Sequence, residues 1–354
     1  MEARHFPLFE TRPDEAYVER WKDHISETGY PETFDNVSTV RPFDMAGVVV
    51  LSGELKVPII RREDQALVPC PLCSPNSPKF GVGRQVYFPA EKTVLFIGHD
   101  CAKRHIGEDY VAADREYRRE AKAKRILDIW GELQRKAPDL RETAAKLLPV
   151  AAALEQARNE FGKQAGEFLH NMLSEHRFGS SGITETVDTG LRDRKGKKVY
   201  ETIQIGTLVG HEFCEKFSPA TKLRAIIKSL EDLDHPLPDW RPGDEEGGER
   251  LDEILRRGRT AISAVNRMKT IRDHVSDARR FLHVNNLKLF ERWGELDSSP
   301  FDRLDFRRKG SWIFLDSVSF YGHHKASFKV SDDLFGPIPD VTSNLFQIRG
   351  FEQE

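Results

Sequence analysis

Two short cysteine motifs constrain this chain more than any other feature. Cys70-Pro71-Leu72-Cys73 is followed by Cys101-Ala102-Lys103-Arg104-His105, so three of the four cysteines fall in one window. Whatever the backbone does between residues 73 and 101, it must return to its starting point if these side chains are to share an ion. A pair of thiolates two residues apart, then a thiolate and an imidazole one helical turn apart, is the ligand spacing of a structural zinc site. The spacing predicts Cys70, Cys73, Cys101 and His105 as ligands of a structural Zn²⁺, with His99 as the rival for the fourth position. Cysteines clustered in this way do not make a disulfide framework, which points to a reducing, cytoplasmic compartment.

Residues 85–88 and 93–97 are β-prone, and Pro89-Ala90-Glu91-Lys92 stands between them as a turn. Asp100 is placed to cap a helix whose first turn carries Cys101 and His105. Residues four apart on a helix share a face, and the positive helix end favours a thiolate. The order knuckle, hairpin, helix over residues 70–105 resembles the treble-clef group of zinc folds. The resemblance implies a closed, structural metal site whose binding energy is part of folding. The chain departs from that pattern in having His105 where a second cysteine is usual, and Ser74 where a knuckle often has glycine.

At 354 residues the chain is long enough for two or three compact units. Charged residues make up 31%, acids and bases nearly cancel, and the net charge is -3, which fits a soluble protein with much exposed helix and argues against a wholesale polyanion binder. No apolar run approaches the length needed to span a bilayer, and residues 1–10 hold no long apolar stretch, so neither a membrane span nor a secretory signal is expected.

The expected fold class is α+β with helix predominant: a small treble-clef-like zinc module attached to a long antiparallel helical bundle with β-hairpin insertions. Residues 1–60 read as an N-terminal helix plus hairpin. The helix starts at Thr11-Arg12-Pro13-Asp14-Glu15 with Thr11 as cap and stops at Gly29; the hairpin is formed by 46–52 and 55–60 around Gly53. Residues 61–107 form the zinc module. Residues 108–178 read as long helices, broken or bent at Pro138, with a kink or new start at Pro149 and an end at Gly179-Ser180-Ser181-Gly182. Their stripe Leu147, Ala151, Leu154, Phe161, Ala165, Phe168 and Met172 follows a coiled-coil or bundle rhythm, with Arg158 out of line. Residues 179–218 form a β segment turning at Arg194-Lys195-Gly196-Lys197. Residues 219–300 form a helical pair around an acidic Pro/Gly linker, 235–248, and 301–354 form a β-rich C-terminal segment, with strands at 312–320 and 326–330.

Several catalytic patterns are incomplete. Pro69-Cys70-Pro71-Leu72-Cys73 matches half of the zinc-deaminase signature, but no His-x-Glu precedes it. An HNH-like zinc-containing nuclease would use His99 at a strand end as general base, yet no further histidine or asparagine follows at helix spacing. There is no phosphate-binding Gly-x-x-x-x-Gly-Lys loop, Gly81-Val82-Gly83 reads as a turn, His211 and Cys214 have no matching ligand pair near in sequence, and His323-His324 reads as an exposed β-turn.

The leading expectation is therefore a zinc-stabilised, non-enzymatic binding or adaptor protein engaging a protein partner. Its helical stripes are expected to pack within one chain or to make a homodimer seam. The alternative is a nucleic-acid-binding protein. Arg115, Arg118, Arg119 and Lys122 share one face of the helix leaving the zinc site and could contact phosphate, with Tyr110 and Tyr117 near enough to stack. Against it, Glu116 and Glu120 alternate with these bases, and Glu120–Lys124 has ion-pair spacing. Arg303, Arg307, Arg308 and Lys309, and Arg256, Arg257 and Arg259, are further basic clusters.

Overall fold

The computed structural model describes residues 8–175, 182–244, 246–340 and 343–348. Helix and strand are mixed, with helix predominant. The chain divides into two compact units, Met1–Asp128 with Leu237–Arg256, and Ile129–Pro236 with Arg257–Glu354. The helix end read at Gly179-Ser180-Ser181 lies outside the described residues. Among those residues no helix is long and apolar enough to cross a membrane.

The first unit begins with α1 (Glu15–Thr28). Its cap is Asp14, whose carboxylate accepts the Tyr17 N–H at 2.7 Å, and not Thr11; Pro13 stands just before the cap. Gly29 ends the helix at φ 78°, a left-handed conformation that suits glycine. Tyr17, Val18, Trp21 and Ile25 bury the inner face of α1 against Val37, Val94 and Phe96.

Residues 46–60 do not form a hairpin. β1 (Val49–Val50) and β2 (Leu55–Lys56) lie end to end along one edge of β5 (Val82–Phe88), Val50 opposite Val86 and Leu55 opposite Gly83. Four residues (51–54) face two on β5, so this is a bulged strand that continues past Gly53 without reversing. Ser52 fills the bulge, its hydroxyl accepting the Gln85 N–H at 3.0 Å. On the other edge β5 pairs in full register with β6 (Thr93–Gly98), around the turn expected at Pro89-Ala90-Glu91-Lys92. β3 (Val68–Cys70) and β4 (Ser74–Phe80) form a separate two-stranded ladder. Gly81 is the bend between β4 and β5, while Val82 and Gly83 are already strand. α2 (His99–Ile106) follows β6 directly.

α3 (Glu108–Gln164) runs unbroken past both Pro138 and Pro149. Each proline removes one helical hydrogen bond, but both are exposed, where water can take the freed carbonyl. The break comes instead at Ala165, before α4 (Gly166–Glu175). Glu120 does not pair with Lys124. It is buried, held by both Arg12 guanidinium nitrogens at 2.7 and 2.8 Å, and accepts the Gly243 N–H at 3.2 Å; Lys124 pairs with Glu15. The acidic 235–248 stretch is correspondingly not a free linker over its described residues: Trp240 is buried, and Asp244 pairs with Arg250 at 2.8 Å.

In the second unit every residue of the stripe from Leu147 to Met172 is buried within one chain. Arg158, out of line in the sequence, donates to the Glu215 and Phe217 carbonyls. Phe161 and Phe168 seat edge-on against Phe213, Phe281, Phe290 and Phe306. β7 (Gly182–Arg192) and β8 (Lys198–Thr207) form the expected hairpin, pairing among the described residues only with each other and exposed over most of their length. α5 (Pro219–Glu231) opens, at a proline, the helical pair expected over 219–300. α6 (Gly248–Ala278) is the second helix of that pair, and α7 (Val284–Gly294) is a further helix within the same segment. The C-terminal sheet has three strands, β9 (Phe301–Lys309), β10 (Trp312–Ser319) and β11 (Gly322–Lys329), in the order β11-β10-β9. His323 and His324 lie on β11, not in the turn before it.

Candidate metal centre

Cys70 ends β3 and is fully buried among Val48, Val50, Leu72, Val86 and Ile97. A single i to i+3 hydrogen bond, Cys73 N–H to the Cys70 carbonyl at 3.3 Å, folds the Cys-x-x-Cys segment back and leaves Cys73 exposed. The β5–β6 hairpin then returns the chain, and Cys101 enters from the first turn of α2. The three sulfurs lie within 4.8 Å of one another, and Cys73 Sγ and Cys101 Sγ are 3.5 Å apart. A disulfide would require about 2.05 Å. A tetrahedral ion with arms of about 2.3 Å places its sulfurs roughly 3.8 Å apart. The three free thiols therefore form a group that could hold a metal ion.

The electrostatics fit that reading. Burial, then the neighbouring thiols, push the Cys101 thiol up to about 12, and burial likewise raises that of Cys70. Three thiolates in this space have no protein cation to balance them among the causes of these shifts. A divalent ion would supply the missing charge, and its binding would release protons.

His105 is not part of the three-sulfur group. Its ring is half-buried, and its Nε2 is enclosed with no hydrogen-bond partner among the described residues. Burial, then Arg41 and Arg104, lower its pKa, which favours the neutral imidazole that metals bind. His99, the rival, is the first residue of α2; its Nδ1 lies 3.1 Å from the buried Tyr110 hydroxyl, and it too is outside the group. Asp100 sits in the first turn but does not cap: the N-cap is Gly98, with no side-chain hydrogen bond.

The basic face on α3 is only partly free. Arg118 pairs with Asp114 at 2.8 Å, and Arg119 bridges Glu116 at 2.7 Å and Asp252 at 2.5 Å. Arg115 and Lys122 are exposed and carry no ion pair among the described residues. Tyr110 is core and Tyr117 is half-buried, so neither is a free stacking platform. Of the other clusters, Arg303 pairs with Asp316 and Arg307 with Asp305, while Arg257 is buried, donating to the Asp232, His235 and Pro236 carbonyls.

Among the described residues no second metal-binding group is present. Compared with family models, with curated proteins and with solved structures, the chain matches none.

Proposed function

We propose that the protein is a zinc-stabilised, non-enzymatic binding protein that engages a protein partner. The observation that carries the reading is the convergence of three thiols from a strand end, a turn and a helix start, one of them inside the hydrophobic core. Soft sulfur donors favour zinc among the common divalent ions. His105 is the proposed fourth ligand, because its enclosed Nε2 has no hydrogen-bond partner among the described residues; a treble-clef-like arrangement follows. A site of this kind staples a small sheet. Support for a protein partner comes from exposed aromatic side chains, Phe320 (94% exposed) and Tyr321 (84%) at the β10–β11 turn and Phe43 (98%) in the first unit.

The test is metal analysis of the purified chain alongside the Cys101→Ser and His105→Ala variants. One zinc per chain, lost with Cys101→Ser and weakened with His105→Ala, is expected. Full metal content in both would remove the assignment.

Nucleic-acid contact is the second reading, favoured by the unpaired Arg115 and Lys122 and by Arg192, Arg194, Lys195 and Lys197 at the exposed β7–β8 turn. Salt separates the two. Phosphate contacts release counterions, so affinity would fall steeply with salt, whereas an apolar interface would hold. The nuclease reading has the least support, since His99 faces a tyrosine hydroxyl and lies outside the thiol group.

A further inference from the structure

The second unit contains a groove of about 630 Å³ that none of this involves, walled by α5 on one side and by the later part of α6 on the other. The two helices run in opposite directions along it: Phe217, just before α5, packs on His274 at 4.2 Å, and beyond the far end of α5 the Asp232 carbonyl accepts from Arg257. The floor is apolar, with Ile226, Ala264 and Ile271. The polar lining is of one kind: three cations, Lys222, Arg259 and Arg267, with serine and threonine hydroxyls and no carboxylate.

This imbalance is written into the sequence. Residues 216–230 and 254–272, which supply both walls, contain no aspartate or glutamate. Four acids flank these stretches: Asp273 pairs with Arg272 at 3.1 Å, Glu215 lies 4.0 Å from His274, Glu231 acts on Arg141, and Glu253 is engaged elsewhere. Lys222 is held at one end, its ammonium 3.7 Å above the Phe217 ring. Arg259 and Arg267 are exposed, have no ion-pair partner among the described residues, and stand two helical turns, about 12 Å, apart. A cleft lined by charge of one sign concentrates counter-ions. Its volume falls in the range of small-ligand sites, roughly 300–1,000 Å³.

We infer that this groove binds a nucleotide-sized organophosphate, its phosphates held by Arg259, Arg267 and Lys222 and its carbon skeleton laid on Ile226, Ala264 and Ile271. Phosphate is preferred to a carboxylate because three cations call for more than one negative charge. Guanidinium forks also match phosphate oxygens bidentately, and the Ser263 hydroxyl on the wall adds a neutral donor, while Ser229 and Thr270 already donate to the Ala225 and Asn266 carbonyls.

The experiment titrates a fluorescent N-methylanthraniloyl nucleoside diphosphate into the full chain, with inorganic pyrophosphate as competitor. Saturable binding that pyrophosphate displaces is expected. It should weaken about 10-fold or more in Arg259→Ala and in Arg267→Ala, and roughly 100-fold in the double variant. Lys146→Ala, an exposed position on α3, should bind like the parent. Both arginines are exposed, so an unchanged circular dichroism spectrum and melting temperature will show that the variants fold; Arg267→Lys should recover part of the affinity. The inference is overturned if no saturable binding occurs, or if the double variant binds as the parent does. It is equally overturned if a labelled oligothymidine strand binds through these arginines more tightly than the diphosphate does, since the groove would then be a nucleic-acid track.

Discussion

At Gly83 the absence of a side chain is a packing requirement. A Cβ there would lie 2.5 Å from a Phe80 ring carbon, 2.7 Å from Phe96 and 2.9 Å from the Ile97 carbonyl. Gly83→Ala should cost about 1–3 kcal/mol, read from urea unfolding; a neutral result would mean that Phe80 moves freely. The Arg62–Glu32 pair is buried, with Arg62 also donating to the Gly29 carbonyl at 2.6 Å and lying over the Tyr30 ring. Removing one partner strands the other, so Glu32→Ala should destabilise by about 3–5 kcal/mol, more than Glu32→Ala/Arg62→Met together. Asp316, gripped by His323 and then Arg303, has its carboxyl lowered from 3.8 to about 2. The folded form thus holds its proton less tightly than the unfolded one. The stabilisation is complete above about pH 4 and disappears as pH falls towards 2. A carboxyl NMR titration should place Asp316 near 2 and return it towards 3.8 in His323→Ala; an ordinary midpoint in the parent would dispose of the claim.

At the scale of elements, legibility depended on whether a local signal had a tertiary rival. The knuckle, the β5–β6 hairpin and α2 were readable because turn residues, β-branched runs and ligand spacing agree locally. β9 was not, because Phe301, Leu304 and Phe306, all buried, break strict alternation: a bulge opposite Val318 and Ser319 inserts one residue and shifts the parity. β1 and β2 read as a hairpin in the sequence because Gly53 marks a bulge as readily as a turn. Pro138 gives the clearest contrast, a strong breaker overridden by a buried stripe on both sides of it. Pro138→Ala should restore one helical hydrogen bond and raise the melting temperature by a few degrees, with a ceiling of about 3 kcal/mol. A drop would show that the proline shapes the helix. Within the candidate site the sequence pointed to the three cysteines now seen together. It also singled out four bases on α3 without revealing that Arg118 and Arg119 are paired, since Asp252 is distant in sequence.

For the molecule as a whole, the division into two units makes metal removal a selective perturbation. Chelation should strip amide protection from β3–β6 and α2, where Cys70 joins the apolar core, and leave β9–β11, whose core is aromatic, protected. Equal loss in both would mean that the chain unfolds as a single block, and no loss would mean that the thiols need no ion. The location of the thiols has one more consequence. All three lie within the first third of the chain, and the hairpin that brings them together involves only neighbouring strands. At roughly 5–20 residues per second, the ribosome releases this segment many seconds before the aromatic cluster around Phe290 and Phe306 exists. If the group captures an ion as proposed, that capture would be timed ahead of the distant pairings, and metal supply during synthesis, more than supply afterwards, would govern how much of the protein matures.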